Sequence, residues 1–196
     1  QQFKSKDYVT ILLVITNIAV YIFCTIQGNV LYNMGSLSVV DIIDRRDYYR
    51  ILTSLFLHAN PQHIWGNMIF LAALGDMLER SIGHGRFFAI YMLAGIGGNL
   101  LSMGHELATG QFCSTIGASG AVFGLIGALL LLICKNNGTY GQISFRRMIF
   151  AIVYLFYSGI QSETTNNMAH LGGFITGFAV MAVFYCITRR RYKRIR

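Results

Sequence analysis

Apolar residues in this chain fall in long charge-free stretches broken by short polar segments. Six stretches stand out: Tyr8 to Ile26, His63 to Leu78, Phe87 to Met103, Gly117 to Cys134, Met148 to Ile160 and Ala169 to Ile187. A hydrocarbon core about 30 Å thick needs about 20 apolar residues per helix, so each stretch reads as a membrane span. The fifth reaches only about 20 Å at about 1.5 Å per residue and borrows its flanks. The pattern predicts an all-α membrane protein with one domain over 1–196. Its six transmembrane helices lie at about 8–26, 63–78, 87–103, 117–134, 147–161 and 169–187.

The longest connection, Gln27 to Gln62, follows the first span. Within it Val39 to Asp44 and Tyr49 to Leu57 mix apolar and charged residues as short helices in the membrane interface do, so a structured interfacial loop is expected. Pro61, the one proline, suits a helix start. Glycines at four-residue spacing, Gly120 with Gly124 and Gly173 with Gly177, let helix backbones approach closely in lipid. The fourth and sixth spans are therefore expected to be neighbours.

Composition agrees with the membrane reading: 54% of the 196 residues are hydrophobic and 12% charged, against about 25% charged in a soluble domain. The net charge of +8 raises nucleic acid as a partner, but the basic residues are distributed by side. With alternate loops on alternate sides, one set collects Lys4, Lys6, Arg80, Arg86, Lys135, Arg146, Arg147 and the tail residues Arg189, Arg190, Arg191, Lys193, Arg194 and Arg196. The other set holds only Arg45, Arg46 and Arg50. This positive-inside bias puts both termini in the cytoplasm. The tail 189–196 reads as a basic cytoplasmic anchor on anionic lipid, with no nucleic acid as partner. Of the four cysteines, Cys134 and Cys186 fall at cytoplasmic ends, where thiols stay reduced. Cys24 and Cys113 both lie toward the outside, and their spacing neither requires nor excludes a pair. With few basic flanks and no cleavage site before Gly28, the first span reads as retained rather than as a signal peptide.

With this orientation the even spans run inward and begin at the outer face. His63 and Asn67 open the second span, Ser119 lies about three residues into the fourth, and His170 is the second residue of the sixth, so four hydrogen-bonding side chains share one depth. Polar and ionisable groups inside membrane spans are costly and face a bundle interior or a water-filled cavity. Each has a structural alternative. Ser119 alone reads as a helix-start residue bonding a free amide, His63 or His170 as an interfacial histidine on a carbonyl, and Asn67, one turn from His63, as glue between helices. Together they fit acyl transfer: a serine hydroxyl activated by a neutral imidazole, with the Ser119 backbone N–H, the His63 ring and the Asn67 amide as oxyanion donors. No acidic residue shares that depth. Asp76 and Glu79 lie at the inner end of the second span, and Glu106 and Glu163 in outer loops. A Ser119–His170 dyad is expected rather than a triad. His58 and His63 lack any HExxH or Cys/His spacing for a metal. No span carries an Asp at mid-depth, and Ala121 stands where GxSxG needs its second glycine. No metal and no cofactor are called for.

The motifs, taken in order, resemble the rhomboid intramembrane serine proteases over nearly the whole chain. Gly117-Ala118-Ser119-Gly120 matches the family's GASG, with Ser119 at the nucleophile position. Ala169, His170, Gly173 and Gly177 match AHxxGxxxG, with His170 at the base position. His63 and Asn67 match HxxxN, the oxyanion positions, preceded by His58 in His58-Ala59-Asn60-Pro61-Gln62-His63. Leu78-Glu79-Arg80-Ser81-Ile82-Gly83 is similar to the family's turn after the second span. Two positions depart: the family's Trp-Arg reads Tyr49-Arg50, and Phe123 stands where many members have tyrosine, its ring still expected against His170.

The resemblance implies a six-helix bundle with a short buried fourth span, an interfacial hairpin after the first, and a cavity opening to the outer side. Gly117, Phe123, Gly173 and Gly177 support the site. The implied partners are the lipid bilayer and single-span transmembrane substrates, entering between the second and fifth spans and cut near the outer end of their helix. The implied location is an integral multi-pass protein of a bacterial inner membrane. A non-catalytic rhomboid-fold protein that binds membrane clients is the alternative; such relatives lose the serine or the histidine, and both are present here.

Overall fold

In a computed structural model, residues 7–162 and 165–188 are described. Lys4, Lys6, Glu163 and the basic tail 189–196 lie outside the described residues. Helix α1 (Tyr8–Gln27) is followed by α2 (Val30–Gly35), α3 (Val39–Arg45), α4 (Arg50–Thr53) and a 3-10 turn (Ser54–Phe56). Then come α5 (Pro61–Ile82), α6 (His84–Thr109), α7 (Ser119–Lys135), the hairpin β1 (Thr139–Tyr140) and β2 (Ile143–Ser144), α8 (Phe145–Ile160) and α9 (Asn167–Ile187). Among the described residues α1, α6 and α9 are long and apolar enough to cross a membrane by length and composition, and α7 is a shorter apolar helix. The chain is an integral membrane protein.

Helix ends differ from the apolar stretches in ways that local chemistry explains. Helix α5 starts two residues before His63, because Asn60 caps it with a 2.8 Å bond from the His63 N–H and Pro61 takes the first turn. Helix α6 continues past Met103 to Thr109, which corrects the placement of Glu106: it sits in α6, 3% exposed, not in a loop. A carboxylate there is tolerated because Ser102 Oγ donates to it at 3.1 Å and the Cys113 N–H at 3.3 Å. Gly117 and Ala118 precede α7, so Ser119 is its first residue rather than one three positions inside. Helix α2 and the small hairpin have no counterpart in the apolar pattern. Cys24 is buried, Cys113 is exposed, and they do not pair.

Helix α7 is the core. Thirteen of its seventeen residues are buried, from Gly120 round to Ile133, as expected of a helix that is apolar on every side. It packs most extensively on α9, with α6 against both. Backbone approach is the reason: a Cβ on Gly173 would strike the Gly120 carbonyl, and one on Gly177 the Gly124 carbonyl. The neighbourhood expected from glycine spacing is present.

The loop after α1 is folded around a buried arginine. Arg50 donates to the Asn33 and Ser36 carbonyls at 2.8 and 3.0 Å and pairs with Asp41 and Asp47 at 3.2 Å each. At the other end of the molecule the Glu79 carboxylate, fully buried on α5, accepts from the Val9 and Thr10 N–H groups at 2.8 and 2.7 Å and from the Thr10 hydroxyl at 2.6 Å. These donors belong to the first turn of α1, which has no side-chain cap of its own.

Candidate active site

The first turns of α5, α7 and α9 meet at one end of the bundle. Gly117, at φ +127°, brings its backbone under the His63 ring: a Cβ there would lie 2.7 Å from Cε1 and Nε2 and 3.8 Å from Ser119 Oγ. Glycine is therefore required twice over, by conformation and by space. A Cβ on Gly120 would lie 3.3 Å from the Ala169 carbonyl, so the turn carrying Ser119 abuts the turn carrying His170. His170 is 9% exposed, and Phe123, one turn along α7, stacks on its ring at 4.1 Å between centroids and 11° between planes.

The segment leading into Ser119 is pinned group by group. The Gly117 N–H donates to the Ser54 carbonyl at 2.8 Å, and the Ala118 N–H to His58 Nε2 at 3.4 Å. Thr115 exchanges backbone bonds with Leu37 at 2.9 and 3.0 Å. Beyond these, the Ser119 N–H has no backbone acceptor and its half-buried hydroxyl no hydrogen-bond partner among the described residues. With Ala118 at the cap position, the serine hydroxyl is not spent on capping α7. A free N–H at a helix N-terminus, beside an imidazole, is suited to receive an oxyanion.

Asn67 is buried on the same helix as His63, and its Nδ2 donates to the His63 carbonyl at 3.1 Å, leaving one amide hydrogen uncommitted. Gly173 and Gly177 lie further along α9, where they seat α7.

Two groups outside the candidate set hold it together. His58 is wholly buried, edge-on to His63 at 5.1 Å, and its carbonyl accepts from the Tyr32 hydroxyl at 2.8 Å. Burial first, and the neighbouring His63 second, push its imidazole down to about 4, so it is neutral and Nε2 accepts the Ala118 N–H. Asn166 caps α9 by accepting the Ala169 N–H at 3.0 Å, while its Nδ2 donates to Ser102 Oγ at 2.6 Å and Thr115 Oγ1 at 2.7 Å. It ties the helix of His170 to α6 and to the strap before Ser119. The cap was readable from an asparagine ahead of an apolar run; its far partners were not.

The rhomboid domain profile matches residues 45–186. The chain belongs to the rhomboid family. It is similar to RHOMBOID-like protein 1 of Arabidopsis thaliana, 36% identical over 156 residues covering 79% of this chain and 39% of that protein. The rhomboid protease GluP of Bacillus subtilis is 33% identical over 141 residues, 72% of this chain and 27% of GluP. YdcA of Bacillus subtilis is 30% identical over 163 residues, 82% of this chain and 76% of YdcA. This rhomboid domain thus spans well under half the length of the first two relatives.

Proposed function

We propose that this rhomboid domain is an intramembrane serine endopeptidase in which Ser119 and His170 form a dyad. The observation that carries the reading is the meeting of three helix starts, where the Ser119 hydroxyl and N–H are both unengaged beside His63 and beside the turn of His170. In this reaction Ser119 Oγ attacks the scissile carbonyl as His170 takes its proton. The Ser119 N–H, the His63 ring and the spare Asn67 hydrogen receive the oxyanion, and His170 returns the proton to the leaving amine. The resulting acyl-serine is then hydrolysed by water through the same groups. No carboxylate is within hydrogen-bond reach of His170 among the described residues, and Phe123 is the group that fixes its ring.

The six long helices α1, α5, α6, α7, α8 and α9 are the six spans of this reading. The described chain ends, α1 at its start and α9 at its finish, lie at the end of the bundle opposite Ser119. Combined with the basic bias, this supports cytoplasmic termini and a site open to the outer side; the membrane of this reading is a bacterial inner membrane. Substrates are single-span membrane proteins cut near the outer end of their helix, since a peptide reaching Ser119 must be extended there.

Purified protein, incubated in detergent with a panel of single-span substrates and a fluorophosphonate probe, should cleave and label. Ser119→Ala and His170→Ala should do neither while remaining folded. Full cleavage by Ser119→Ala protein would remove Ser119 as the nucleophile and overturn the dyad, whereas neither cleavage nor labelling by the wild type would overturn the proposal in favour of a client-binding role.

A further inference from the structure

Behind the strap that fixes Gly117 lies a second concavity, away from the candidate site. A cleft of about 410 Å³ opens between α1, α2 and the 3-10 turn, a volume within the range of about 300–1,000 Å³ typical of small-molecule sites. Val20, Cys24, Gly35 and Leu57 form its floor. Phe23, Met34 and Tyr49 stand at its mouth, with 53%, 55% and 47% of their surfaces exposed. Few polar atoms face the cleft, and two of the polar side chains in its wall are engaged elsewhere. Thr53 Oγ1 donates to the Gly35 carbonyl at 2.8 Å, and the Tyr49 hydroxyl reaches Asp47 at 3.4 Å. What remains facing the cleft is hydrocarbon and aromatic surface, which has no use for water.

The mouth runs without a break into the exposed apolar face of α1, where Ile15, Ile18, Ile22 and Ile26 show 41–75% of their surfaces. In an integral membrane protein this face is covered by lipid. The turn beside the mouth carries Asp41, Asp44 and Asp47 against Arg45, Arg46 and Arg50, so it offers no net charge to select a head group. We propose that the cleft is a retained lipid site that takes one acyl chain of a phospholipid, chosen by hydrocarbon rather than by head group. Leu57 and Phe56 give the bound chain a place directly behind Ser54, whose carbonyl holds the Gly117 N–H at 2.8 Å and whose hydroxyl accepts from Asn99 at 2.9 Å. The lipid therefore backs the wall that shapes the candidate site. The site stands on membrane residence alone, so its occupancy can be read whether or not Ser119 is catalytic.

The test is photo-crosslinking of the full chain in nanodiscs with two phospholipids carrying a diazirine in mid-chain, one phosphatidylcholine and one phosphatidylglycerol, followed by peptide mapping. Both probes should label the cleft peptides, at Phe23, Met34 or Phe56, several-fold more than the equally exposed face of α8 at Phe150 and Val153. Excess unlabelled phospholipid should lower labelling at the cleft and on α8 alike, in proportion to the probe's mole fraction, and leave the several-fold ratio between them unchanged. Val20→Trp, which fills the floor, should abolish cleft labelling and leave α8 labelling unchanged. Labelling at one uniform level over α1 and α8 would reduce the cleft to ordinary annular lipid and overturn the proposal. So would labelling by phosphatidylglycerol alone, which would make the head group the ligand, or loss of cleft labelling on adding a single-span substrate helix, which would make that helix the occupant. The wild-type map with the two probes decides the matter even if Val20→Trp fails to fold.

Discussion

The Phe123 ring lies flat on the His170 imidazole, 4.1 Å between centroids and 11° from parallel, and is itself met edge-on by Phe156 of α8 at 5.1 Å. The imidazole is thus oriented by stacking, and its Nδ1 is buried with no hydrogen-bond partner among the described residues. Where a soluble triad orients its histidine with a carboxylate, this site uses packing. Such a contact is worth about 0.5–1.5 kcal/mol beyond area. Phe123→Ala should therefore lower kcat on a single-span substrate by up to about tenfold with KM little changed. Phe123→Tyr, which preserves the ring, should stay near wild type. Equal loss in both would assign the effect to something other than stacking.

Glycines that differ in surroundings should differ in tolerance. Gly173→Ala puts a methyl into the Gly120 carbonyl with only backbone to yield, forcing α7 and α9 apart. It should lower thermal stability in detergent by about 1–3 kcal/mol and reduce fluorophosphonate labelling. Gly104, in the interior of α6, has nothing within 4 Å of an added Cβ. Gly104→Ala should be neutral or stabilising by about 0.4–1 kcal/mol, since it restricts the unfolded chain. Melting curves of the two variants side by side check both signs.

Asn166 is a positioning residue in this account, joined at once to the Ala169 N–H, Ser102 and Thr115. Asn166→Ser keeps a capping oxygen and loses the two donated bonds; Asn166→Ala loses all three. Loss of the cap alone costs about 0.5–2 kcal/mol. Both variants should slow the fluorophosphonate reaction of Ser119, by similar factors, whereas only the alanine should lose the full stability increment. Unchanged probe kinetics in both would confine Asn166 to capping α9.

His58 sets a pH dependence of stability. A free histidine titrates near about 6.5, and in the fold this one is held down to about 4 by burial, with His63 beside it. Between these values the unfolded chain binds the extra proton. His58 therefore contributes in full above about pH 6.5 and loses that contribution as pH falls toward 4, about 3 kcal/mol across the window. The thermal inactivation midpoint of wild type should drop from pH 7 to pH 5 by more than that of His58→Gln, which does not titrate. Equal drops would remove His58 as the source.

Much of this protein is set by local pattern. A helix that must satisfy its own backbone in lipid announces itself as an apolar run, so the long helices are legible one stretch at a time. Helix period is local too: Gly120, Gly124, Gly173 and Gly177 declare which faces approach, and His63 with Asn67 share a face for the same reason. The family motifs single out Ser119 and His170 as the expected dyad. What only the tertiary structure decided depends on partners far away in the chain. Glu106 lies inside α6 because Ser102 and the Cys113 N–H meet it. The loop after α1 is folded because buried Arg50 gathers two carbonyls and two carboxylates. Ser54 and His58, some 60 residues upstream, hold the two N–H groups before Ser119, whose own N–H has no backbone acceptor among the described residues. Buried polar groups must find partners wherever the fold supplies them, and sequence spacing carries no record of which residues those are.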